Sequence, residues 1–589
     1  MRALRFFGPA LILAPCLLLG CSSDPATSTG SGGSSTASGT GGAGGAGGMD
    51  GAGGAGGSGG AVAPPTGLIN APVHRYDYAF DITTLAARSR LTIDVPAPGG
   101  DCYNVSCALP AVTEPTWNGA PASSSTLDQQ MLSLCGDGVP GGSPLEIGAS
   151  GTVLQKTSFG LDVGFSRSKD LAGGEFSYLL SWVGGCDRFG PCDDHPSRLA
   201  EFHFEVTHPP GHVVLCPGVL TPGETLTRCD LAGTLAPTYS AFAVASDPLW
   251  KASPFATAAG VNIVFYEVPG GSIASSLDKA SVTEFMTWIT GLLGPFPYGD
   301  ELRVAGAPTT WFGFEHPANI ILLEDLPLYV SPYKNTPMHV LMHEIIHQWA
   351  GDRTTLATAE DFVWKEATAE YLAYVFEDEK RPAGEASASL SYWDQVSLNA
   401  NYYPRPTDDP PPAVQAFYGD VYGPGPMILY VQLETMLGRP AVLAGIASFL
   451  SEPGARSVAD LRSALEKASG KDLAAYFDAW VFGSGAPERP TFSVELSQVG
   501  AEVTVALTQM NPSKKLYGCA VEVEVKGAVS SARALVDFGL APSSPTASAK
   551  VTLAEPITSH TLDPDHRLVA MDASVMPAAP PPKLPAWTF

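Results

Sequence analysis

Short runs of alternating apolar and polar residues dominate the chain after residue 66. HRYDYAFDITTLAARSRLTIDV, FSYLLSWV, AEFHFEVTHP and GHVVLCPG show this alternation, with Gly and Pro between the runs. A period of two places successive side chains on opposite faces of a strand, so the pattern predicts an antiparallel β-sandwich or saddle over residues 66–250. FSVEL, VTVALTQ, AVEVEVKG, ARALVDFG and ASAKVTLA predict a second, smaller β-sandwich over residues 487–575.

The stretch between these two β regions mixes strand and helix periods. VNIVFYEVPG, ELRVAGAP and ANIILLED predict strands, whereas SSLDKASVTEFMTWITGLLG has apolar residues at helical spacing. DFVWKEATAEYLAYVFE predicts a further helix, and residues 380–485 are mostly helical with Pro-rich interruptions. The expected fold is therefore multidomain, with an α+β region that includes a helical part over residues 251–486.

The N-terminus has the pattern of a targeting segment. Arg2 and Arg5 precede an apolar run that is too short for a comfortable membrane span. Leu18-Leu19-Gly20-Cys21 resembles a bacterial lipobox, which predicts a lipoprotein signal peptide over residues 1–21 and a lipidated Cys21. An ordinary secretion signal is the alternative. By the same resemblance, Ser22 points to the outer membrane, so we expect an exported lipoprotein at the outer membrane or cell surface of a Gram-negative bacterium.

Two terminal stretches have compositions that do not build a core. Residues 22–65 are rich in Gly, Ser and Ala and predict a disordered linker between the anchor and the folded part. Residues 576–589 form a Pro-rich tail with no assigned role.

Charge and cysteine content narrow the choice of partners and compartment. The chain of 589 residues carries 59 acidic and 33 basic residues, and a net charge of −26 disfavours nucleic acid as a partner. An exported protein can keep disulfides, and eight cysteines lie beyond Cys21. Sequence does not determine their pairing, but the near neighbours Cys102–Cys107, Cys186–Cys192 and Cys216–Cys229 are plausible pairs.

The candidate chemistry centres on an H-E-x-x-H run, His343-Glu344-Ile345-Ile346-His347. Residues four apart share one face of a helix, so the two histidines can direct their imidazoles at one metal ion. Glu344 is placed to act on a metal-bound water, and Glu366 supplies a third, carboxylate ligand. Two nitrogens and one carboxylate leave a fourth position open, which is typical of a catalytic zinc.

The local sequence favours a helix at this motif. Asn335 is a capping residue, Pro337 suits a first turn, and Gly351 can end the helix. A buried helix whose histidines only satisfy hydrogen bonds is the alternative. His339 lies one turn before His343, but three ligands on one straight helix would be spread too far along its axis, so we interpret His339 as structural.

Several separated motifs resemble the M1 family of zinc metallopeptidases, the gluzincin aminopeptidases. The family's N-terminal-domain signature, AR-x-x-FPCFDEP-x-x-KA-x-F-x-L-x-VTHP, is matched at Pro191-Cys192, Asp194, Pro196 and Val206-Thr207-His208-Pro209, with departures at Gly190 and His195. The spacing His347-x18-Glu366 is that of the family, and Trp364-x-Glu366 and Tyr371 are similar to its W-x-N-E-G-F-A-x-Y. DLAAYFDAWVFGSGAPERPTFSVEL is similar to the segment that closes its catalytic domain.

This resemblance implies a thermolysin-like catalytic domain and roles for named residues. One zinc ion per chain would be bound by His343, His347 and Glu366, with Glu344 as the general base. DVYGPGPMILYVQLETMLGR is similar to the family's Y-E-K-G and the helix after it, which makes Tyr422 the candidate that stabilises the oxyanion, with Tyr418 as a competitor.

Two further roles concern residues around the metal. WFGFEHPANIILLE occupies the place of the family's GAMEN motif, so the resemblance makes Glu315 a candidate to bind the α-amine of a peptide substrate. Glu370 lies one turn beyond Glu366 and can orient a ligand histidine, or it can be an exposed helix carboxylate.

The sequence leaves the type of activity open. SYLLSWVGGC holds no carboxylate or amide where the family usually has a second amine-binding residue. The resemblance still predicts a zinc-dependent peptidase that releases N-terminal residues from peptides, although one amine-binding residue is missing. A zinc endopeptidase of the same fold and a non-catalytic surface-binding lipoprotein are the alternatives.

Overall fold

Strands are more common than helices among the residues that the structure describes. The computed structural model describes residues 64–155, 164–309, 312–330, 333–381, 386–387, 389–390, 427–483, 490–568 and 571–572. Ala86–Asp94 shows why the alternating runs form strands: Ala87, Leu91 and Ile93 are buried on one face, while Arg88 and Arg90 on the other face point towards solvent.

Three sheets account for the β region before residue 250. The largest contains, in spatial order, Val219–Thr221, Leu226–Asp230, Leu199–Thr207, Val73–Asp81, Ala86–Asp94, Pro144–Thr152, Val112–Trp117 and Ala120–Pro121, with Ala236–Pro237 paired to Leu199–Thr207. The second contains Leu68–Ile69, Gly99–Ser106, Met131–Pro140 and Ser124–Asp128. The third contains Gly164–Lys169, Glu175–Leu180, Ala243–Asp247 and Val213–Leu215.

A mixed five-stranded sheet follows, and its edge lies beside the H-E-x-x-H motif. Its strands are β1 (Lys251–Ala258), β2 (Val261–Glu267), β3 (Glu301–Ala307), β4 (Gly313–His316) and β5 (Asn319–Leu323). The spatial order is β1-β2-β3-β5-β4, with β2, β3 and β5 parallel and β1 and β4 antiparallel to their neighbours. Strand β4 is thus an edge strand.

The helices lie among and after these strands. Three of them carry the argument below: α1 (Lys279–Leu293), α2 (Thr336–His347) and α3 (Phe362–Lys380). Helices α2 and α3 pack against each other, and α2 also contacts β4 and β5. The other described helices are Thr238–Ala241, Ile273–Ser276, Met427–Leu437, Arg439–Phe449, Val458–Ser469 and Ala474–Trp480, and a two-stranded ladder joins Thr354–Leu356 to Gly454–Arg456.

Two small sheets form the C-terminal β region. One contains Thr546–Thr552, Glu502–Gln509, Thr491–Val499 and Met571–Asp572, and the other contains Ser531–Asp537, Ala520–Lys526 and Ser559–Leu562. Val503, Val505 and Leu507 alternate with more exposed neighbours and are fully buried. The predicted fold class, with β regions on either side of an α+β region and its helical part, is therefore confirmed.

The disulfides agree with two of the three near-neighbour pairs. Cys186–Cys192 and Cys216–Cys229 are bonded. The pair Cys102–Cys107 is wrong, because Cys102 bonds to Cys135 and Cys107 is free and buried. Cys102 and Cys135 face each other in the register of two adjacent antiparallel strands, and this register brings their Cα atoms within 4.0 Å.

Among the described residues, the structure contains no helix that combines the length and the apolar character needed to cross a membrane.

Candidate metal centre and active site

Helix α2 presents both motif histidines on one side. The Asn335 side chain caps the helix by accepting a hydrogen bond from the Met338 backbone N–H at 3.3 Å, and Pro337 lies in the first turn as expected. The four-residue spacing brings the Nε2 atoms of His343 and His347 within 2.9 Å of each other. Buried apolar residues on the rest of α2 hold the helix in the core and keep this side directed at α3.

Helix α3 delivers the third candidate ligand. Oε2 of Glu366 lies 3.2 Å from Nε2 of His343 and 3.4 Å from Nε2 of His347. The side chains of His343 and Glu366 keep 14% and 18% of their surface exposed, whereas His347 is fully buried. The His347 side of the triad is therefore buried in the protein, whereas His343 and Glu366 can be reached from solvent.

The triangle of donor atoms fits a zinc ion. Ligand atoms about 2.0–2.1 Å from a tetrahedral zinc are about 3.3 Å apart, because the edge of a tetrahedron is about 1.6 times the centre-to-corner distance. The three observed separations of 2.9, 3.2 and 3.4 Å lie around this value. His347 Nδ1 lies 2.9 Å from the Ala350 carbonyl oxygen, so Nδ1 carries the proton and the Nε2 lone pair is free for the metal.

His343, the first histidine of the motif, is oriented by a carboxylate. Oε1 of Glu370 lies 3.4 Å from Nδ1 of His343, and Glu370 is buried rather than exposed. His339 bridges two carboxylates, with Nε2 3.0 Å from Glu370 and Nδ1 2.8 Å from Glu377. Burial opposes the charge on His339, but Glu377 and Glu370 raise its pKa to about 9. His339 thus holds Glu370 in place, in keeping with its structural interpretation.

Glu344 lies between α2 and the edge strand β4. A Cβ added to Gly313 would lie 2.5 Å from Oε1 of Glu344, so glycine leaves the space that the Glu344 side chain occupies. Burial raises the pKa of Glu344 to about 8, and repulsion from Glu315 and Glu366 acts in the same direction. A bound cation would lower this pKa again, so the carboxylate is placed to accept and release a proton near neutral pH.

Glu315 lies beside the triad but is already paired. Its ligand atoms cluster with those of Glu344 and His347 within 4.8 Å. Oε1 of Glu315 is 2.7 Å from Nζ of Lys365, which is also 2.8 Å from Oε1 of Glu366. Burial alone would lower the pKa of Lys365, but Glu315 and Glu366 hold it well above its usual value. Sequence reasoning missed Lys365, and its only signal was a lysine directly before a predicted ligand.

Two aromatic rings and a glycine lie against the buried Lys365 side chain. Its Nζ lies 5.4 Å from the centre of the Trp182 ring and 5.2 Å from that of Phe362. Gly351 has a left-handed backbone with φ of 137°, and a Cβ there would lie 2.7 Å from Cε of Lys365. The expectation that Gly351 ends α2 is inexact, because the helix ends at His347. Gly351 instead leaves room for the lysine stem.

A second pair missed by sequence reasoning anchors the edge strand. His316, the last residue of β4, has Nδ1 3.0 Å from the Ser240 carbonyl oxygen and Nε2 2.6 Å from the Tyr178 hydroxyl. Nδ1 therefore donates to the carbonyl, and Nε2 accepts from the hydroxyl. Burial lowers the pKa of His316 to about 4, so the imidazole stays neutral. These bonds tie the strand that carries Glu315 to the preceding β region.

The remaining predicted site residues are not part of the described structure. Tyr422, its competitor Tyr418 and the predicted lipidation site Cys21 lie outside the described residues. The structure brings His343, His347, Glu366, Glu344 and Glu315 into one cluster, with Glu370 behind it.

Comparisons with known proteins find similarities that include the same region. Residues 312–480 match the model of the Peptidase family M1 domain. Aminopeptidase N of Lactococcus lactis subsp. cremoris is 30% identical over 214 residues, which cover 33% of this chain and 24% of that protein. The mitochondrial Aminopeptidase 2 of Saccharomyces cerevisiae is 24% identical over 357 residues, which cover 55% of this chain and 36% of that protein. The matches thus span well under two thirds of these relatives.

A solved structure shares the fold over a longer stretch. The Legionella pneumophila aminopeptidase A, solved in complex with aspartic acid, has a TM-score of 0.68 and 17% sequence identity, and the match covers 86% of this chain and 60% of that one. At this identity the similarity concerns the fold alone. Residues 312–480 are therefore similar to a peptidase family M1 domain, and the donor triangle lies within this stretch.

Proposed function

We propose that this chain is a zinc-dependent metallopeptidase that hydrolyses peptide bonds and releases N-terminal residues from peptides. The observation that carries the proposal is the donor triangle of His343, His347 and Glu366, with sides of 2.9, 3.2 and 3.4 Å and with Glu344 beside it. A binding module gains nothing from a buried carboxylate of raised pKa next to a metal triad, so the geometry favours an enzyme.

The chain's own residues supply binding and proton transfer. When bound, zinc acts as a Lewis acid that acidifies water and polarises a peptide carbonyl. Glu344 accepts the proton of the attacking water at a carboxylate oxygen while the water oxygen bonds to the carbonyl carbon. Glu344 then returns that proton to the departing nitrogen as the C–N bond breaks. Tyr422 is the proposed donor to the oxygen that becomes negative during the attack.

The relatives support cleavage next to the N-terminus of a peptide, and one alternative competes with this proposal. The curated relatives named above are aminopeptidases, which supports release of N-terminal residues. An endopeptidase is the second candidate, because the only predicted amine-binding residue, Glu315, is already paired with Lys365. Mass analysis of the fragments from a peptide library distinguishes the two, since stepwise loss of N-terminal residues supports the first and internal fragments support the second.

Metal content and one substitution test the catalytic proposal. We expect about one zinc per chain, loss of peptide hydrolysis on treatment with a chelator, and recovery on addition of zinc. Glu344→Gln should retain zinc and lose at least about 10²-fold in kcat, as expected for loss of a general base. Glu495→Gln, at an exposed strand position, is the matched control and should behave as the wild type. A pure protein without zinc, or an undiminished Glu344→Gln variant, would refute the proposal.

We also propose that Cys21 carries a lipid anchor and that residues 22–65 tether the enzyme to the outer membrane or cell surface. The support is the lipobox-like Leu18-Leu19-Gly20-Cys21 and the Gly-rich composition after it. Labelling cells with a fatty-acid probe should mark the wild type and leave Cys21→Ser unmarked. Equal labelling of both proteins would contradict the proposal.

A further inference from the structure

We propose that Lys365 determines substrate specificity, because its ammonium neutralises Glu315 and makes the site indifferent to the charge of a peptide's N-terminal amine. This inference rests on the proposed peptidase function. It assigns the substrate class as peptides with free or acylated N-termini.

The ion pair between Lys365 and Glu315 is direct and buried. Nζ of Lys365 lies 2.7 Å from Oε1 of Glu315, the Lys365 side chain is fully buried, and the Glu315 side chain is 4% exposed. Water cannot screen a pair that is buried to this degree, so Glu315 already has its cation before a substrate arrives. A substrate ammonium that approached Glu315 would have to compete with an internal one at contact distance.

The charges around Lys365 also indicate that its ammonium neutralises Glu315. Lys365 also touches Glu366, with Nζ 2.8 Å from Oε1, but the other oxygen of Glu366 faces the two histidines. A metal ion bound by the triad would engage the negative charge of Glu366, and the positive charge of Lys365 would then balance that of Glu315. The Glu315–Lys365 pair has no net charge with which to attract an ammonium ion.

Lys365 has little freedom to move away. Its stem runs past Gly351, where even a methyl group would lie 2.7 Å from Cε, and its ammonium is held near the rings of Trp182 and Phe362. Removing the lysine from Glu315 would leave a buried carboxylate without a partner, which is strongly unfavourable. The pair therefore remains intact when a substrate binds, and the N-terminus is positioned by shape rather than by charge.

The test compares one reporter in two forms, alanyl p-nitroanilide and N-acetylalanyl p-nitroanilide. The ratio of their kcat/KM values cancels any effect of a variant on the shared chemistry. We expect a ratio of free to acetylated substrate within about 5-fold for the wild type, and a ratio at least 10-fold higher for Lys365→Met, in which Glu315 has lost its cation. Lys365→Met with Glu315→Gln should return to the wild-type ratio, and the surface variant Lys467→Met should not differ from the wild type.

Two results would overturn the inference: a wild-type preference for the free amine above about 100-fold, or the same ratio in Lys365→Met as in the wild type. If Lys365→Met does not fold, the wild-type ratio decides alone. Hydrolysis of neither reporter by the zinc-loaded wild type would instead count against the peptidase proposal. In that case calorimetry on Glu344→Gln still tests the amine claim, since alanine amide and N-acetylalanine amide should bind within 5-fold of each other, and much tighter binding of alanine amide would refute it.

Discussion

Replacing Gly313 by alanine should strongly lower the proposed peptidase activity without loss of zinc. In the structure, an added Cβ would lie 2.5 Å from Oε1 of Glu344 and 2.9 Å from its Cδ and Cγ, whereas ordinary contact begins at 3.4 Å. The Glu344 carboxylate would therefore have to move by about 1 Å, and a displacement of that size at a reacting group costs about 10²-fold in rate. This corresponds to about 2.7 kcal/mol of activation free energy.

The assay measures kcat on a peptide reporter together with zinc content for Gly313→Ala. We expect kcat to fall about 10²-fold with about one zinc per chain retained. The three atoms nearest to the added Cβ all belong to Glu344 and not to the triad. Gly291→Ala is the matched control, since a Cβ at this position in α1 meets nothing within 4 Å. That control should keep its activity and gain up to about 1 kcal/mol in helix stability.

A double variant separates displacement of Glu344 from general damage. If Gly313→Ala acts through Glu344, adding it to Glu344→Gln should change kcat by less than about 3-fold, because the two substitutions remove the same function. A Gly313→Ala variant with activity close to the wild type would refute the geometry described for β4. A further 10²-fold loss in the double variant would show that the substitution acts elsewhere.

Three other predictions concern stability, each measured by denaturant unfolding. Burial lowers the pKa of His316 to about 4, so its neutral form stabilises the fold above about pH 6.5, and up to about 3 kcal/mol is lost as the pH falls towards 4. His316→Gln should lack this part of the dependence of the unfolding free energy on pH. An unchanged dependence would contradict the prediction. Burial, with Asp170 nearby, raises the pKa of Asp247 to about 7, so its protonated form stabilises the fold below about pH 4, and this stability is lost as the pH rises through 7. At pH 8, Asp247→Asn should therefore be more stable than the wild type by up to about 4 kcal/mol. Equal stability of the two proteins would refute this prediction. Loss of the Cys102–Cys135 disulfide, with a sequence separation of 33, should cost about 4 kcal/mol in Cys102→Ser, whereas reduction with no change in stability would refute the pairing.

Local patterns in the sequence determined the elements and the candidate metal ligands. Two histidines four residues apart share a helix face wherever that helix lies, so the pairing of His343 and His347 depends on the α-helical period alone. Alternation predicted the strands around the core for the same reason, because a period of two follows from backbone geometry. Matching this pattern to a family added Glu366, and the structure places it within 3.4 Å of both histidines.

Tertiary structure decided which charges meet around that metal centre. Lys365 is next to a predicted ligand in the sequence, but only the packing of α2 against both α3 and β4 brings its ammonium to Glu315, 50 residues earlier in the chain. Strand register likewise joined Cys102 to Cys135 rather than to its near neighbour Cys107. Contacts between residues distant in sequence depend on how whole elements pack, and a local pattern carries no information about such packing. The sequence thus determined the candidate metal ligands, and the fold determined the charged groups that surround them.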